Sequence, residues 1–324
     1  MNDCLRHHPN DISALAAMVT DETGIPSEHL VKDFWVTEVL RGVAAAANSR
    51  GLELYFKGGT SLSKAYKLIR RFSEDVDVLI ALSPDSKSVR DAHLQAIVDA
   101  AADSTGLTGV DVPGTKTSGV KRSARFHYPS TGAAVVDAGV SDGVLLELGT
   151  RGGVLPGAHV IEIRSLLSEF RPVEMSAYAE HQPFTAPVLA PVRTLIEKLV
   201  LLHTAHTDAS EGSDKQKTVI RKAARHYYDV YQLLNAGDVV EQATGHVKTL
   251  ARDVVTYSAG AGLPGLAPGG AGFAASPAFN DSTFFKIAAA EYERVMPLLV
   301  WPGAEMPSFA DCCAAVHRQA EVLK

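Results

Sequence analysis

The chain has 324 residues, of which 46% are hydrophobic and 21% charged, as is ordinary for a soluble globular protein, and this length predicts two lobes. No apolar run is long enough to span a bilayer and the N-terminus lacks the apolar core of a signal peptide, so we expect a cytoplasmic protein with no membrane partner. The formal net charge of −6 argues against nonspecific coating of nucleic acid.

The first predicted elements are helices. Apolar residues from Ile12 to Val19 share one helix face, and Val31 to Val43 recur at helical spacing on a second. Alternation from Leu52 to Lys57 predicts a strand, which Gly58-Gly59 ends. A helix is then predicted from about Thr60 to Arg70, and a second strand from Asp75 to Ile80.

Further along, residues 85–104 read as a helix, and strands are predicted over residues 126–128, 134–140 and 144–148. The period becomes helical from Pro187 onward, over residues 188–204, 216–235, 282–300 and 308–322. We therefore predict an α/β fold: a mixed-sheet lobe with N-terminal helices over residues 1–185, and a mainly helical lobe over 186–324. The second lobe contains a Gly/Pro-rich loop at about 258–278.

The strongest chemical signal is the carboxylate pair Asp75 and Asp77, two residues apart on a predicted strand. Side chains alternate faces along a strand, so both carboxylates are expected to point the same way. Two hard oxygen ligands side by side suit Mg²⁺, which keeps waters and substrate phosphates as its other ligands. The pair therefore predicts a Mg²⁺ site that takes a phosphorylated substrate.

A glycine turn precedes this pair. Glycine lets the backbone approach a phosphate closely, so Gly58 and Gly59 are candidate nucleotide-binding residues. Thr60 and Ser61 open the following helix and add hydroxyl donors, and Lys64 lies one turn further on. The segment is not a Walker A loop, because GGTSLSK lacks the Gly-Lys-Ser/Thr ending.

The arrangement resembles that of polymerase-β-like nucleotidyltransferases, and this resemblance implies a third metal carboxylate on a neighbouring strand. Glu147, within the strand predicted over residues 144–148, is the candidate, and Asp137 is a weaker one. An exposed strand residue without a ligand is an equally good interpretation of Glu147.

The order strand, Gly-Gly-Thr, helix and Asp-x-Asp strand resembles the site of polymerase-β-like nucleotidyltransferases. The stretch FKGGTSLSKAYKLIRRFSEDVDVLI, residues 56–80, is similar to the signature of the AbiEii/AbiGii nucleotidyltransferase toxins. Four other segments resemble motifs of that family in the same order, so the resemblance spans most of residues 28–235: VKDFWVTEVL, LELGTRGG, RTLIEKLVLLH and RHYYDVYQLL.

The resemblance implies roles for particular residues. Ser73 and Asp75 match the family's active-site Ser-x-Asp, and Asp77 matches the second metal carboxylate. Lys198 matches a lysine that contacts the nucleotide, and Asp229 an essential aspartate of the helical lobe. The candidate catalytic residues are therefore Asp75, Asp77, Lys198 and Asp229.

A basic stripe leads toward the last of these. Lys217, Arg221 and Arg225 recur every four residues and so share one face of the predicted helix over residues 216–235, which Asp229 continues. The stripe suits a triphosphate or an RNA backbone, and Arg225 is a candidate nucleotide-binding residue. The alternative is a solvated face on which Arg225 and Asp229 form an ion pair.

The resemblance implies a toxin of a toxin–antitoxin or phage-defence system, restrained by a cognate antitoxin. Its expected reaction is Mg²⁺-dependent transfer of a nucleotide from an NTP to an RNA acceptor, the 3′ end of tRNA, which blocks translation. Two alternatives stay open: transfer to a hydroxyl of a protein or small molecule, and an inactive nucleotide-binding module that acts by association. The fold alone does not decide among them.

Overall fold

A computed structural model describes residues 3–82, 86–129, 141–207, 213–260 and 268–324, the side chains of 258–260 excepted. The strands are β1 Glu53–Lys57, β2 Asp75–Ala81, β3 Thr108–Asp111, β4 Lys121–His127, β5 Val144–Gly149, β6 Ala158–Ile163 and β7 Phe184–Leu189. The helices are α1 Pro9–Thr23, α2 Ser27–Ser49, α3 Gly58–Lys64, α4 Lys87–Thr105, α5 Leu166–Phe170, α6 Pro172–Met175, α7 Pro191–Thr207, α8 Asp214–Ala223, α9 Arg225–Asn235, α10 Gly237–Ala243, α11 Val247–Gly260, α12 Thr283–Leu299 and α13 Phe309–Arg318.

The described strands form one mixed seven-stranded sheet in the order β3-β4-β5-β2-β1-β7-β6. The central strand β2 runs antiparallel to β1 and parallel to β5, and β1 pairs in parallel with β7. The predicted α/β class, with a mixed sheet followed by a mainly helical region, is confirmed.

The two faces of the sheet differ in chemistry. Even-numbered residues of the central strands, such as Phe56, Val76 and Leu146, are buried in one apolar core with α2 and α4. Odd-numbered residues of the same strands point to the opposite face, because side chains alternate along a strand. That face carries Lys57 and the two aspartates Asp75 and Asp77, so the hydrophobic alternation fixes the register that exposes the charged row.

A second apolar core holds the helical region together, and it also takes residues from the first half of the chain. Leu62, Ile69 and Phe72, which lie between β1 and β2 or in α3, pack with the apolar residues of α7 to α13. The predicted lobe boundary near residue 185 falls at the start of β7, which is a strand of the sheet. The segment between α3 and β2 thus connects the two cores.

The helix predicted to reach Arg70 ends at Lys64 instead. The chain turns at Lys67, the described non-glycine residue with a left-handed backbone (φ 55°). Beyond it the backbone pairs with a distant segment: the N–H of Phe72 donates to Leu299 (2.8 Å), and the N–H of Trp301 donates to Arg70 (3.0 Å). Tertiary hydrogen bonds therefore override the local helical period here.

Other predicted boundaries also shift. The single helix predicted over residues 216–235 is two helices, α8 and α9, which meet at Ala224. Strand β4 begins at Lys121, five residues before the predicted start, because pairing with β3 and β5 extends it through polar residues. Strands β3, β6 and β7 were not predicted, whereas the strand predicted over residues 134–140, with Asp137, lies outside the described residues. Among the helices of the described ranges, none combines the length and apolar character that a bilayer crossing requires.

Candidate active site

A row of polar side chains crosses four strands on the open face of the sheet. Lys57 of β1 is the register partner of Asp77 in β2, Asp77 is the partner of Glu147 in β5, and Glu147 is the partner of Ser123 in β4. Partnered residues of neighbouring strands project to the same side of a sheet. Strand pairing therefore brings together a lysine, two carboxylates and a serine that are far apart in sequence.

Asp75 and Asp77 both line one cavity of about 150 Å³. Gly58, Gly59 and Ser73 line the same cavity. The opposite wall comes from the helical region and from the segment before β2; its lining residues are Arg71, Thr194, Glu197, Lys198, Leu201, Arg225 and His226, and Lys57 completes the cavity. The cavity thus lies between the sheet and the helices, with carboxylates on one side and cations on the other.

The glycine turn has no room for side chains. Gly58 has a left-handed backbone with φ of 78°, and a β-carbon there would lie 3.0 Å from the carboxyl carbon of Asp77. A β-carbon on Gly59 would lie 2.9 Å from Ser73 Oγ and 3.1 Å from Arg71 Nη2. Glycine is therefore required at both positions by the close approach of site residues, and at Gly58 also by backbone conformation.

Three of the predicted nucleotide-binding side chains are used internally. Thr60 Oγ1 donates to the carbonyl of Asp75 (2.5 Å) and lies 3.0 Å from Ser73 Oγ, and Ser61 Oγ donates to the carbonyl of Gly58 (2.9 Å). Lys64 is buried against Asp33, with Nζ 2.5 Å from Oδ1. These three residues hold the turn and the helix in place, and they do not line the cavity.

Burial perturbs both aspartates. Desolvation raises the pKa of Asp77 to about 7, with a further rise from the charges of Glu147 and Asp75 and an opposing effect of Lys57. Desolvation also raises the pKa of Asp75, against the lowering effect of Arg225. Partly buried carboxylates that repel each other favour a bound cation, and their oxygen donors suit Mg²⁺. Asp75 and Asp77 would hold such an ion, although the described residues contain no group of three side chains preformed as a metal site.

The candidate third carboxylate lies beside Asp77 in the sheet but has a partner of its own. Lys121 Nζ donates to Glu147 Oε1 at 2.6 Å, and both side chains are about one-third exposed. Glu147 is close enough to raise the pKa of Asp77, yet it does not line the cavity. The structure thus places Glu147 next to the aspartates and outside their cavity.

A buried charge cluster stands behind the opposite wall. Asp229 is fully buried, and Arg71 donates to it twice, from Nε to Oδ1 (2.7 Å) and from Nη2 to Oδ2 (2.7 Å). Lys198 Nζ lies 2.7 Å from Oδ2 of the same carboxylate. Burial opposes ionisation of Asp229, but Arg71 and Lys198 hold its pKa well below the usual range. Asp229 itself does not line the cavity, whereas both cations do.

By its sequence context alone, Lys198 would be an ordinary exposed lysine, but the structure buries it. It is 6% exposed, and burial lowers its pKa although Asp229 counteracts this effect. Its Nζ also lies 3.1 Å from Nδ1 of His226. Burial and the neighbouring Lys198 lower the pKa of His226 to about 3, so the imidazole is neutral at physiological pH and Nδ1 can accept from Lys198.

Arg225 makes a different contact from the one considered in the sequence. Its Nη2 lies 3.4 Å from Oδ2 of Asp75, in the opposite wall, and it does not pair with Asp229. The proposed single basic face is therefore wrong in part: the helix is interrupted at Ala224, and Lys217 pairs with Asp214 at 3.1 Å. Arg225 alone of that stripe lines the cavity.

Sequence reasoning missed several lining residues. Lys57 Nζ and Arg193 Nε both approach Glu197, at 3.2 and 3.1 Å, and the charge of Glu197 raises the pKa of Lys57. Arg71 appeared only as one member of a basic cluster, and His226 only as a letter in RHYYDVY. Arg71 lies two residues before Ser73, and His226 lies three residues before Asp229. Lys57 and Glu197 directly precede Gly58 and Lys198, so the available signal for all four was their position within the family motifs.

Comparison with known proteins shows which family the chain matches. The model for the family described as nucleotidyl transferase AbiEii toxin, type IV TA system, matches residues 40–298, which is more than half of the chain. Among solved structures, the chain is similar to MenT4, a nucleotidyltransferase toxin from Mycobacterium tuberculosis H37Rv, at 18% identity and a TM-score of 0.40, over 96% of this chain and 97% of that one. No curated protein matches significantly. The family match includes every residue that lines the cavity.

Proposed function

The chain belongs to the AbiEii family of nucleotidyltransferase toxins of type IV toxin–antitoxin systems, and from this premise we propose that it transfers a nucleotide from an NTP to the 3′ end of tRNA. One observation carries the proposal. Asp75 and Asp77 face Lys198 and Arg225 across a single cavity that the glycine turn closes on one side. Carboxylates for a metal ion and cations for phosphates are the two requirements of nucleotidyl transfer.

In the proposed reaction, one bond to the α-phosphorus forms and one breaks. The oxygen of the acceptor hydroxyl forms a bond to the α-phosphorus, the bond from that phosphorus to the oxygen bridging to the β-phosphate breaks, and pyrophosphate leaves. The hydroxyl proton passes to water. Asp75 and Asp77 would hold Mg²⁺, which would supply positive charge to the phosphate oxygens.

The chain's own residues bind and orient the nucleotide. Gly58 and Gly59 let the backbone approach a phosphate, and Ser73 Oγ lies at their edge, where it is fixed by Thr60. Lys198 and Arg225 supply positive charge from the helical side. Fixed charges of this kind stabilise an anionic transition state without reorganisation during the reaction.

The biological consequence follows from the acceptor. A tRNA with an extended 3′ end has no free terminal adenosine for the amino acid, so translation stops. The protein would act in the cytoplasm, where NTPs and tRNA meet, and its cognate antitoxin would restrain it. Expression without the antitoxin should slow growth; harmless overexpression of an active chain would contradict this role.

The decisive test is transfer of label. The protein is incubated with each α-labelled NTP and Mg²⁺, first with total RNA and then with protein extract. Label in tRNA is expected. Label in protein would show that the chain is a nucleotidyltransferase whose acceptor is a protein and not tRNA. Nucleotide binding with no label in either fraction would show that the chain is an inactive binding module.

Matched variants separate the site from general damage. Asp75→Asn and Asp77→Asn should each lower transfer by about a thousandfold, because several kcal/mol of metal-dependent stabilisation are lost. Asp99→Asn, on the exposed face of α4, is the control and should transfer at the normal rate. Full activity of either active-site variant would refute its role in holding the metal.

A further inference from the structure

Arg71 reaches the cavity wall because the segment that bears it is fixed by the helical region. The backbone of Arg70 and Phe72, on either side of Arg71, is hydrogen-bonded to Trp301 and Leu299. The backbone of Arg71 itself forms an isolated antiparallel β-bridge with Val300. The residue is 1% exposed, yet it lines the cavity. This pairing explains why fifteen residues separate Gly59 from Asp75: the intervening chain leaves the sheet, carries Arg71 to the helical core and returns.

The guanidinium of Arg71 is only partly used. Nε and Nη2 donate to Asp229, and Nη1 donates to the carbonyl of Phe72 at 2.8 Å. Since arginine has five N–H bonds, two are left without an acceptor among the described residues. Nη2 lies 3.1 Å from where a β-carbon of Gly59 would be, so this edge faces the glycine turn.

The cluster has one positive charge in excess. Arg71 and Lys198 share the single carboxylate of Asp229, and His226 beside them is neutral because its pKa is lowered to about 3. All three charged groups are buried. Asp75 and Asp77 oppose this excess charge from across the cavity. A metal ion held by those two aspartates would leave the buried cations to favour a bound anion.

The same wall holds an unmatched polar atom. Thr194 lines the cavity one turn before Lys198 on α7, and it is 2% exposed. Its hydroxyl oxygen is buried and has no hydrogen-bond partner in the part of the chain that the structure describes. A buried hydroxyl without a partner is uncommon in a native protein, so it points, independently of the charges, to a ligand at this wall.

We propose that Arg71, Lys198 and Thr194 form a phosphate-binding wall for the nucleotide's triphosphate, and that Asp229 positions the two cations without touching substrate. The inference rests on the proposed function and adds Arg71 and Thr194 to the substrate contacts. Arginine suits this role because its planar N–H groups match phosphate oxygens two at a time. Asp229 orients both cations from behind, because it is bound to each and lies outside the cavity.

The test compares affinities for nucleoside mono-, di- and triphosphates, measured by calorimetry on the full chain with Mg²⁺ and without RNA. The wild type should prefer the triphosphate to the monophosphate. Arg71→Met should lose about tenfold to about a hundredfold of this preference, since it removes charged hydrogen bonds to phosphate, and Arg71→Lys should lose less. Unchanged preference in a folded Arg71→Met protein would overturn the contact.

Arg70→Met is the matched control, because Arg70 is adjacent, exposed and outside the cavity. It should keep the wild-type ratio of affinities. An equal loss in Arg70→Met would overturn the inference, because a general effect of basic charge would then explain the result.

The positioning role of Asp229 has its own readout. Asp229→Asn keeps both cations in the protein but removes the charge that holds them, so it should lose most of the triphosphate preference while keeping its monophosphate affinity. A merely structural role would weaken both affinities equally. An Asp229→Asn protein that keeps the full preference would overturn the positioning role.

Thr194→Val is a variant that is expected to fold normally, so a loss of affinity in it cannot be attributed to unfolding. Removal of an unpartnered buried hydroxyl should leave the melting temperature equal or higher, while triphosphate affinity falls about threefold to about tenfold. Unchanged affinity would remove Thr194 from the wall. If even the wild type showed no preference for the triphosphate, the proposed function would fail; if the wild type and all the variants showed the same preference, the wall alone would fail.

Discussion

Gly58 lies directly against Asp77: a β-carbon at position 58 would stand 3.0 Å from the carboxyl carbon and closer still to Oδ2. The turn before α3 and the carboxylate of β2 therefore share one space. This contact couples the two sequence motifs, because neither can be moved without displacing the other.

The first prediction concerns that contact. Gly58→Ala should lower nucleotidyl transfer more than tenfold, because the added methyl group displaces the carboxylate of Asp77, and it should also cost about 1–3 kcal/mol of backbone strain at φ of 78°. Transfer assays and thermal unfolding measure the two effects.

Gly51→Ala is the control that separates backbone strain from displacement of Asp77. Gly51 also has a left-handed backbone, with φ of 63°, but a β-carbon there meets nothing within 4 Å. The control should lose stability and keep its activity. Equal losses of activity in the two variants would show that strain, and not displacement of Asp77, is responsible.

The second prediction concerns Glu147. We expect Glu147→Gln to raise the Mg²⁺ concentration needed for half-maximal transfer, because the negative charge next to Asp77 is lost. A rise of about tenfold corresponds to about 1.4 kcal/mol. Glu162→Gln, a glutamate on β6 away from the cavity, is the control. An unchanged Mg²⁺ requirement would leave Glu147 as a partner of Lys121 alone.

The third prediction concerns Arg225, whose guanidinium lies 3.4 Å from Asp75 and is partly exposed. Binding of a metal ion to Asp75 would free this side chain for a phosphate. Arg225→Ala should therefore raise the KM for NTP about tenfold, consistent with the loss of one charged hydrogen bond. Its stability should change by less than about 1 kcal/mol, as is usual for exposed ion pairs.

Arg221→Ala, one turn earlier on α8 and exposed, is the matched control. It should leave the KM for NTP unchanged. A larger effect of Arg221→Ala than of Arg225→Ala would contradict a specific role of Arg225 in the cavity.

The fourth prediction concerns stability against pH. The pKa of Asp229 is held far below its ordinary value of 3.8 by Arg71 and Lys198, although burial opposes this. A depressed pKa contributes stability that is present above the ordinary value and is lost as the pH falls toward the folded-state pKa. Asp229→Asn should therefore be less stable than the wild type by about 3 kcal/mol at pH 7, and this difference should shrink below pH 3.8.

Chemical denaturation at a series of pH values measures this difference. Asp281→Asn, on an exposed turn before α12, should show no such difference at any pH. A destabilisation by Asp229→Asn that is as large at pH 3 as at pH 7 would show that packing, and not the charge of Asp229, is what matters.

The sequence by itself determined the class of fold and the centre of the candidate site. Alternation of apolar residues placed Asp75 and Asp77 on one face of a strand, and the glycine pair marked the turn that the structure brings against them. These features follow from local rules: the period of a strand and the conformational freedom of glycine. The motif order also led to the family that the comparison found.

The tertiary structure alone decided which charged residues meet. The pairing of Arg71 with Asp229 joins residues 158 apart in sequence, and the row of Lys57, Asp77 and Glu147 depends on the order of strands. Conversely, Lys64 looked available in sequence but is held by Asp33. Ion pairs between distant elements have no sequence period, because their partners are set by how the helices dock on the sheet. This is why the cationic wall of the cavity was visible only in the folded chain.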